Sequence, residues 1–199
     1  MSENTTFRTR WGMVLAIGLA ILLAGCTQQA DQEAELSSEE RHAEIMDHAE
    51  EVSSGIDTVE EAREAGYEPD RFCVPGMGVH WLHQPGQEGS SLDAELSEDE
   101  PEAILFEPEN ENFTDPDANR FVGIEYIVFT EGTDMNSTDT KPDFMGAEME
   151  GPMPGHTPEM PWHVDFHVYL AEDVRSTPDF EPTNPSITCP EGTTPPGER

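Results

Sequence analysis

Residues 161–170, near the C-terminus, alternate between two kinds of side chain. His163, Asp165, His167 and Tyr169 occupy every second position, so on a β-strand they point to one side. The positions between them are apolar and point to the other side: Trp162, Val164, Phe166, Val168 and Leu170. This period of two predicts a strand with one core face and one face that carries two imidazoles and a carboxylate.

The longest predicted strand, residues 120–130, places an acidic residue among apolar neighbours. Glu125 lies between Ile124 and Tyr126, and the residues on its own side of the strand are also largely apolar. We therefore expect Glu125 to be buried, where an unpaired carboxylate is costly. Because Lys and Arg together number only nine, a histidine or a metal ion is the expected partner.

Two helical patterns precede the strands. Ser37 and Glu40 have capping-box spacing at the start of the first helix, and Asp57 begins a second, short helix that ends at Gly66. The other strand-like stretches are residues 76–83, residues 103–106 and a short edge at residues 186–189. Helices followed by strands predict an α+β fold, in which N-terminal helices pack on a mainly antiparallel, loop-rich sheet.

The chain is strongly acidic, with 43 Asp and Glu residues against nine Lys and Arg, a net charge of −34. Such a surface repels nucleic acid and anionic membranes, which excludes DNA and RNA as partners. The acidic residues are spread along the chain, which favours adaptation to high salt over an ordinary acidic secreted protein. A melting temperature that does not rise between dilute buffer and molar salt would refute this hypothesis.

Residues 1–25 have the features of an export signal: Arg8 and Arg10, an apolar run over residues 11–23, and a small-residue end at Cys26. The end resembles the lipobox of prokaryotic lipoproteins, whose cysteine is lipidated and becomes the mature N-terminus. The resemblance implies a lipid anchor on Cys26 at the extracytoplasmic face of the cell membrane or envelope. The alternative is a signal peptide cut elsewhere, with a free Cys26.

Beyond the leader we predict an acidic tether over residues 26–36, a single domain over residues 37–190 and a disordered tail over residues 191–199. The domain contains the remaining two cysteines, Cys73 and Cys189. In an exported protein they are expected to form a disulfide, with two free buried thiols as the alternative.

The candidate site combines His80, Glu125, His163 and His167, whose nitrogen and oxygen atoms suit zinc, manganese, iron or copper. On a straight strand His163 and His167 are about 13 Å apart, so one ion cannot bind both of them unless the strand bulges. Without metal, Glu125 and His80 can form an acid–base pair. The alternative is that these histidines only hydrogen-bond within a polar core.

We predict that residues 131–160 form a connection of unusual length between two strands. Two interpretations remain open: the connection covers a site, or it is a salt-adapted insertion. Its methionines and one histidine are a second metal hypothesis, a Cu(I) site, against which we weigh simple packing. These residues are Met145, Met149, Met153, Met160 and His156.

Several motifs together resemble a family of secreted prokaryotic proteins with no assigned activity. They are Met77-Gly78-Val79-His80, Gly123-Ile124-Glu125-Tyr126, Gly151-Pro152-Met153-Pro154-Gly155-His156, Pro161-Trp162-His163, His167-Val168 and Asn184-Pro185. The resemblance covers roughly residues 66–189 and implies that they form one domain. It implies no catalytic residue.

Two functions are compatible with these features. The first is a lipid-anchored extracytoplasmic protein with a divalent-metal or acid–base site of histidine and glutamate. The second is a non-catalytic envelope module that binds a small ligand or an envelope partner, with structural histidines.

Overall fold

The computed structural model describes residues 36–83, 96–130, 141–155 and 160–196. The predicted leader with Cys26, and His156, lie outside these ranges. The described helices are α1 (Ser38–Val52) and α2 (Val59–Glu64). The described strands are β1 (Tyr67–Val74), β2 (Gly78–His83), β3 (Ala103–Pro108), β4 (Asn119–Phe129), β5 (Asp143–Phe144), β6 (Ala147–Glu148), β7 (Glu150–Met153) and β8 (His163–Tyr169). Neither described helix is long and apolar enough to cross a membrane.

Six of the described strands form one antiparallel sheet in the order β1-β2-β3-β4-β8-β7, and β5 and β6 form a separate pair. The long strand β4 lies near the middle, between β3 and β8. Its pairing with β8 is continuous from Gly123 opposite Tyr169 to Phe129 opposite His163. This regular register determines which side chains of the two strands are neighbours.

The predicted α+β class is wrong, because the described structure is mostly β. The capping box at Ser37 begins α1, as predicted, whereas α2 is capped by Thr58 with Glu61, one residue later than the predicted start at Asp57. The first helix has 15 residues and the second only six. The region predicted as a connection, residues 131–160, contributes three strands instead. No strand forms at residues 186–189, which follow a turn.

The two faces of the sheet bury different residues. One face, here called the aromatic face, contributes Trp81, Phe106, Tyr126 and Phe166 to a large apolar cluster. That cluster also includes Ile45 of α1, among other helix residues. The opposite face, here called the histidine face, holds a smaller apolar cluster beside buried polar residues. These polar residues are His80, Glu125, His163, Asp165 and His167.

A C-terminal segment, residues 174–193, is fixed to the sheet by the predicted disulfide between Cys73 and Cys189, which is confirmed. Its residues Val174 and Ile187 belong to the apolar cluster of the histidine face. Past the disulfide, the carbonyl of Thr193 accepts a hydrogen bond of 2.9 Å from the Cys73 amide. Residues 191–196, which were assigned to the predicted tail, are therefore hydrogen-bonded to β1 through Thr193.

Candidate metal centre

Three strands bring together His80, Glu125 and His167. Glu125 on β4 lies directly opposite His167 on β8, so their side chains are cross-strand neighbours. His80 on β2 reaches Glu125 across the intervening strand β3, where Ala103 is the residue opposite Glu125. The single methyl group of Ala103 leaves room on this face for the two longer side chains to meet.

Each oxygen of the Glu125 carboxylate faces one imidazole. Nε2 of His80 lies 3.1 Å from Oε2, and Nε2 of His167 lies 3.3 Å from Oε1. One nitrogen or oxygen atom from each of the three residues can be chosen so that all lie within 4.8 Å of one another. The group can therefore hold a metal ion, as the burial of an acidic residue among apolar neighbours indicated.

The centre is almost sealed from solvent. The side chain of His80 is 7% exposed, whereas those of Glu125 and His167 are 0% exposed. Among these three residues, His80 is thus the one whose side chain reaches solvent. Burial of this degree strengthens electrostatic interactions between the three side chains.

The pKa of His80 reflects two opposing effects. Burial lowers it, because a charged imidazolium loses solvation. The nearby Glu125 carboxylate raises it more, with smaller contributions from Asp70 and Asp165, so the net pKa of His80 is above its ordinary value. The carboxylate environment therefore favours a positive charge at this position, either a proton or a metal ion.

His163, the fourth predicted ligand, is not part of the three-residue group. Its Nε2 lies 3.4 Å from Oδ2 of Asp165, and its Nδ1 lies 3.2 Å from the carbonyl oxygen of Pro161. Because β8 pairs regularly with β4 over its whole length, no bulge brings His163 toward His167. Burial lowers the pKa of His163, but the bond to Asp165 and its charge raise it to a net value above the ordinary one.

Asp165 lies between the two histidines of β8. Its Oδ1 is 3.8 Å from Nδ1 of His167, on the side of that ring away from Glu125. Asp165 and His167 are fully buried, and their polar atoms lie 3.3 to 3.8 Å from those of one another, of His163 and of Glu125. Ionisable groups buried together in this way depend on one another, or on a bound cation, for compensating charge.

Two further buried polar residues of this region, Glu102 and Tyr169, were not among the predicted site residues, although Tyr169 was expected on this side of its strand. Oε2 of Glu102 accepts a hydrogen bond of 2.7 Å from the amide of Ile127. Glu102 directly precedes the apolar run of β3, so its position resembled a solvated strand end. The hydroxyl of Tyr169 donates to the carbonyls of Gly76 and Pro182, and burial raises its pKa, as do the nearby carboxylates.

The methionines proposed for Cu(I) are divided between the two apolar clusters. Met149 is buried in the large apolar cluster of the aromatic face, and Met145 packs against it. Met160 instead contacts the smaller cluster of the histidine face. These positions favour packing over a shared thioether site.

No protein-family model, curated protein or solved structure matches this chain.

Proposed function

We propose that this protein binds a divalent transition-metal ion through His80, Glu125 and His167. The observation that carries the proposal is the convergence of three buried ligand atoms, within 4.8 Å of one another, from three separate strands. A carboxylate facing two imidazoles in an enclosed site needs positive charge, and a metal ion supplies it for both of its oxygens.

The chemistry of the three side chains limits the choice of metal ion. Two imidazole nitrogens and one carboxylate form the ligand set of many zinc sites with an open position, and of non-haem iron(II) sites. Manganese and copper accept the same atoms, whereas calcium and magnesium prefer oxygen alone. When bound, such an ion would supply Lewis-acid character and would link β2, β4 and β8.

The burial of the group favours binding of an ion over turnover of an organic substrate. A metal-free acid–base pair of Glu125 and His80 must contact the group whose proton it moves. Only the His80 side chain, 7% exposed, is open to such a contact. A metal centre of limited access fits these exposures better.

We further propose that the protein acts outside the cytoplasm, attached to the membrane through a lipid on Cys26. The leader pattern and its lipobox support this placement, and the disulfide between Cys73 and Cys189 is typical of exported proteins. Replacing Cys26 by serine should move the protein from the membrane fraction to the soluble fraction. Equal membrane retention of Cys26→Ser and wild type would contradict the anchor.

Elemental analysis of protein purified without chelator tests the metal centre. We expect about one equivalent of zinc, iron, manganese or copper per wild-type chain, and strong loss of this metal in His80→Ala and Glu125→Gln. His48→Gln is the matched control, because the Nε2 atom of His48 lies 2.8 Å from the Glu98 carbonyl, outside the group. Wild-type protein without stoichiometric metal would leave the second hypothesis, an envelope-binding module with structural histidines.

A further inference from the structure

We infer that Asp165 is a positioning residue that orients His167 toward the metal, a role that rests on the proposed metal centre. His167 has two ring nitrogens, and only one of them faces Glu125. Its Nε2 lies 3.3 Å from Glu125, and its Nδ1 lies 3.8 Å from Oδ1 of Asp165. The ring therefore bridges a ligand carboxylate and a second carboxylate that is outside the three-residue group.

This arrangement determines which nitrogen can bind metal. A carboxylate beside Nδ1 favours the tautomer with a proton on that atom, and the lone pair is then on Nε2, facing the centre. In metal sites, ligating histidines commonly donate their other N–H to such a carboxylate, which fixes the ring and makes the ligating nitrogen more basic. A hydrogen bond between Asp165 and His167 requires the two atoms to approach by about 1 Å.

His163 contacts the carboxylate oxygen of Asp165 that does not face His167. The carbonyl of Pro161 can only accept a hydrogen bond, so Nδ1 of His163 carries a proton and donates to it over 3.2 Å. This contact leaves Nε2 of His163 facing Oδ2 of Asp165 at 3.4 Å, where the ring attracts the carboxylate as an imidazolium with protons on both nitrogens. Asp165 is thus placed between two imidazoles, and the one that is not a metal ligand fixes the orientation of its carboxylate.

The period of the strand explains why Asp165 supports the centre without joining it. Asp165 pairs with Ile127, one step along the face from the Glu125–His167 pair. It therefore reaches the far side of the His167 ring and not the space between His167 and His80. An acidic residue two positions before a ligating histidine on a strand is suited to this role.

Zinc affinity, measured by competition with a chelator of known affinity, tests the inference. We expect Asp165→Asn to bind zinc about 10- to 100-fold more weakly than wild type, because an amide oxygen is a weaker acceptor for the Nδ1 proton. His48→Gln should match wild type. Equal affinity of Asp165→Asn and wild type would overturn the role of Asp165 while the metal centre stands, whereas zinc binding by neither would overturn both proposals.

Nitrogen-15 NMR of the histidine rings in zinc-loaded wild type gives a test that does not depend on the variant folding. We expect zinc on Nε2 of His167 and a proton on Nδ1, protected from exchange with solvent. In a folded Asp165→Asn protein that protection should decrease, which the loss of a merely structural contact elsewhere would not cause. Zinc on Nδ1 of His167, or an unprotonated Nδ1, would contradict the inference.

Discussion

The two faces of the sheet use the same strands for different purposes. On the aromatic face, Phe144 of β5 contacts two rings of the large sheet at tilted angles: its centroid lies 4.1 Å from that of Tyr126 and 5.1 Å from that of Phe166. On the histidine face, the positions next to Tyr126 and Phe166 are ionisable instead. Glu125 and His167 are as fully buried as the aromatic residues but need a compensating charge.

This contrast indicates where stability and function are located. Apolar burial on the aromatic face stabilises the domain without regard to pH or metal. On the histidine face, buried ionisable groups cost solvation energy, which is recovered only through pairing or ion binding. Side chains alternate along β4 and β8, so each of these strands contributes to both faces of the sheet.

The largest expected effect is loss of the disulfide between Cys73 and Cys189, which joins the C-terminal segment, residues 174–193, to β1. Cys73 and Cys189 are separated by 116 positions, so the double serine variant should lose about 4 to 5 kcal/mol of unfolding free energy. Chemical denaturation measures it. Hydrogen exchange should show the amide of Gly76, which donates to Ile187, losing more protection than the amides of β4. Equal loss of protection at Gly76 and in β4 would contradict a local role for the disulfide.

Two substitutions at neighbouring positions of β3 test the two faces separately. Phe106→Ala on the aromatic face and Leu105→Ala on the histidine face each remove a fully buried side chain and should cost about 3 to 5 kcal/mol and about 2 to 5 kcal/mol. Only Leu105→Ala should also weaken zinc binding, because Leu105 lies opposite His80. Calorimetric titration with zinc checks this. If Phe106→Ala weakened binding as much, the two faces would not be independent.

Zinc itself should stabilise the protein by a smaller amount. At a free concentration about one hundred times Kd, one bound ion raises the free energy of unfolding by about 2.7 kcal/mol. Denaturation of wild type with zinc and with chelator measures the increment. Glu125→Gln should lose it, and Phe106→Ala should retain it despite lower absolute stability. A zinc increment that persists in Glu125→Gln would place the ion elsewhere.

Local patterns predicted much of the histidine face. The period of two at residues 161–170 gave β8 and its two faces correctly, since side-chain alternation is set by the strand itself. The burial of Glu125 followed from its apolar neighbours in sequence. The regular register of β8 also keeps His163 out of the three-residue group, as the spacing of the two histidines had indicated.

The remaining errors concern non-local pairing. The strand β7 contains Pro152 and pairs only with β8, so it is an edge strand, where a residue without an N–H is tolerated. In the sequence the same proline indicates a loop. The contact of His80 with Glu125 was predicted from the charge that a buried carboxylate needs, although no pattern within β2 or β4 records the register that carries it across β3. The start of α2 was placed at Asp57 instead of Thr58, because Asp57–Glu60 and Thr58–Glu61 have the same capping-box spacing and only one pair caps the helix.

The smallest predicted effect is a pH dependence on the histidine face of metal-free protein. The pKa of His163 is raised in the folded state, since Asp165 outweighs the effect of burial. Stability from that charge is therefore fully present below the ordinary histidine pKa of about 6.5 and is lost as pH rises through the higher folded value.

We expect wild type to exceed His163→Gln in unfolding free energy by more at about pH 5.5 than at about pH 8.5, with chelator present. Denaturation at both pH values measures the two differences. A gap that is constant or widens with pH would show that His163 is neutral in the fold and that only its ring packing matters, which would make this part of the histidine face resemble the aromatic one.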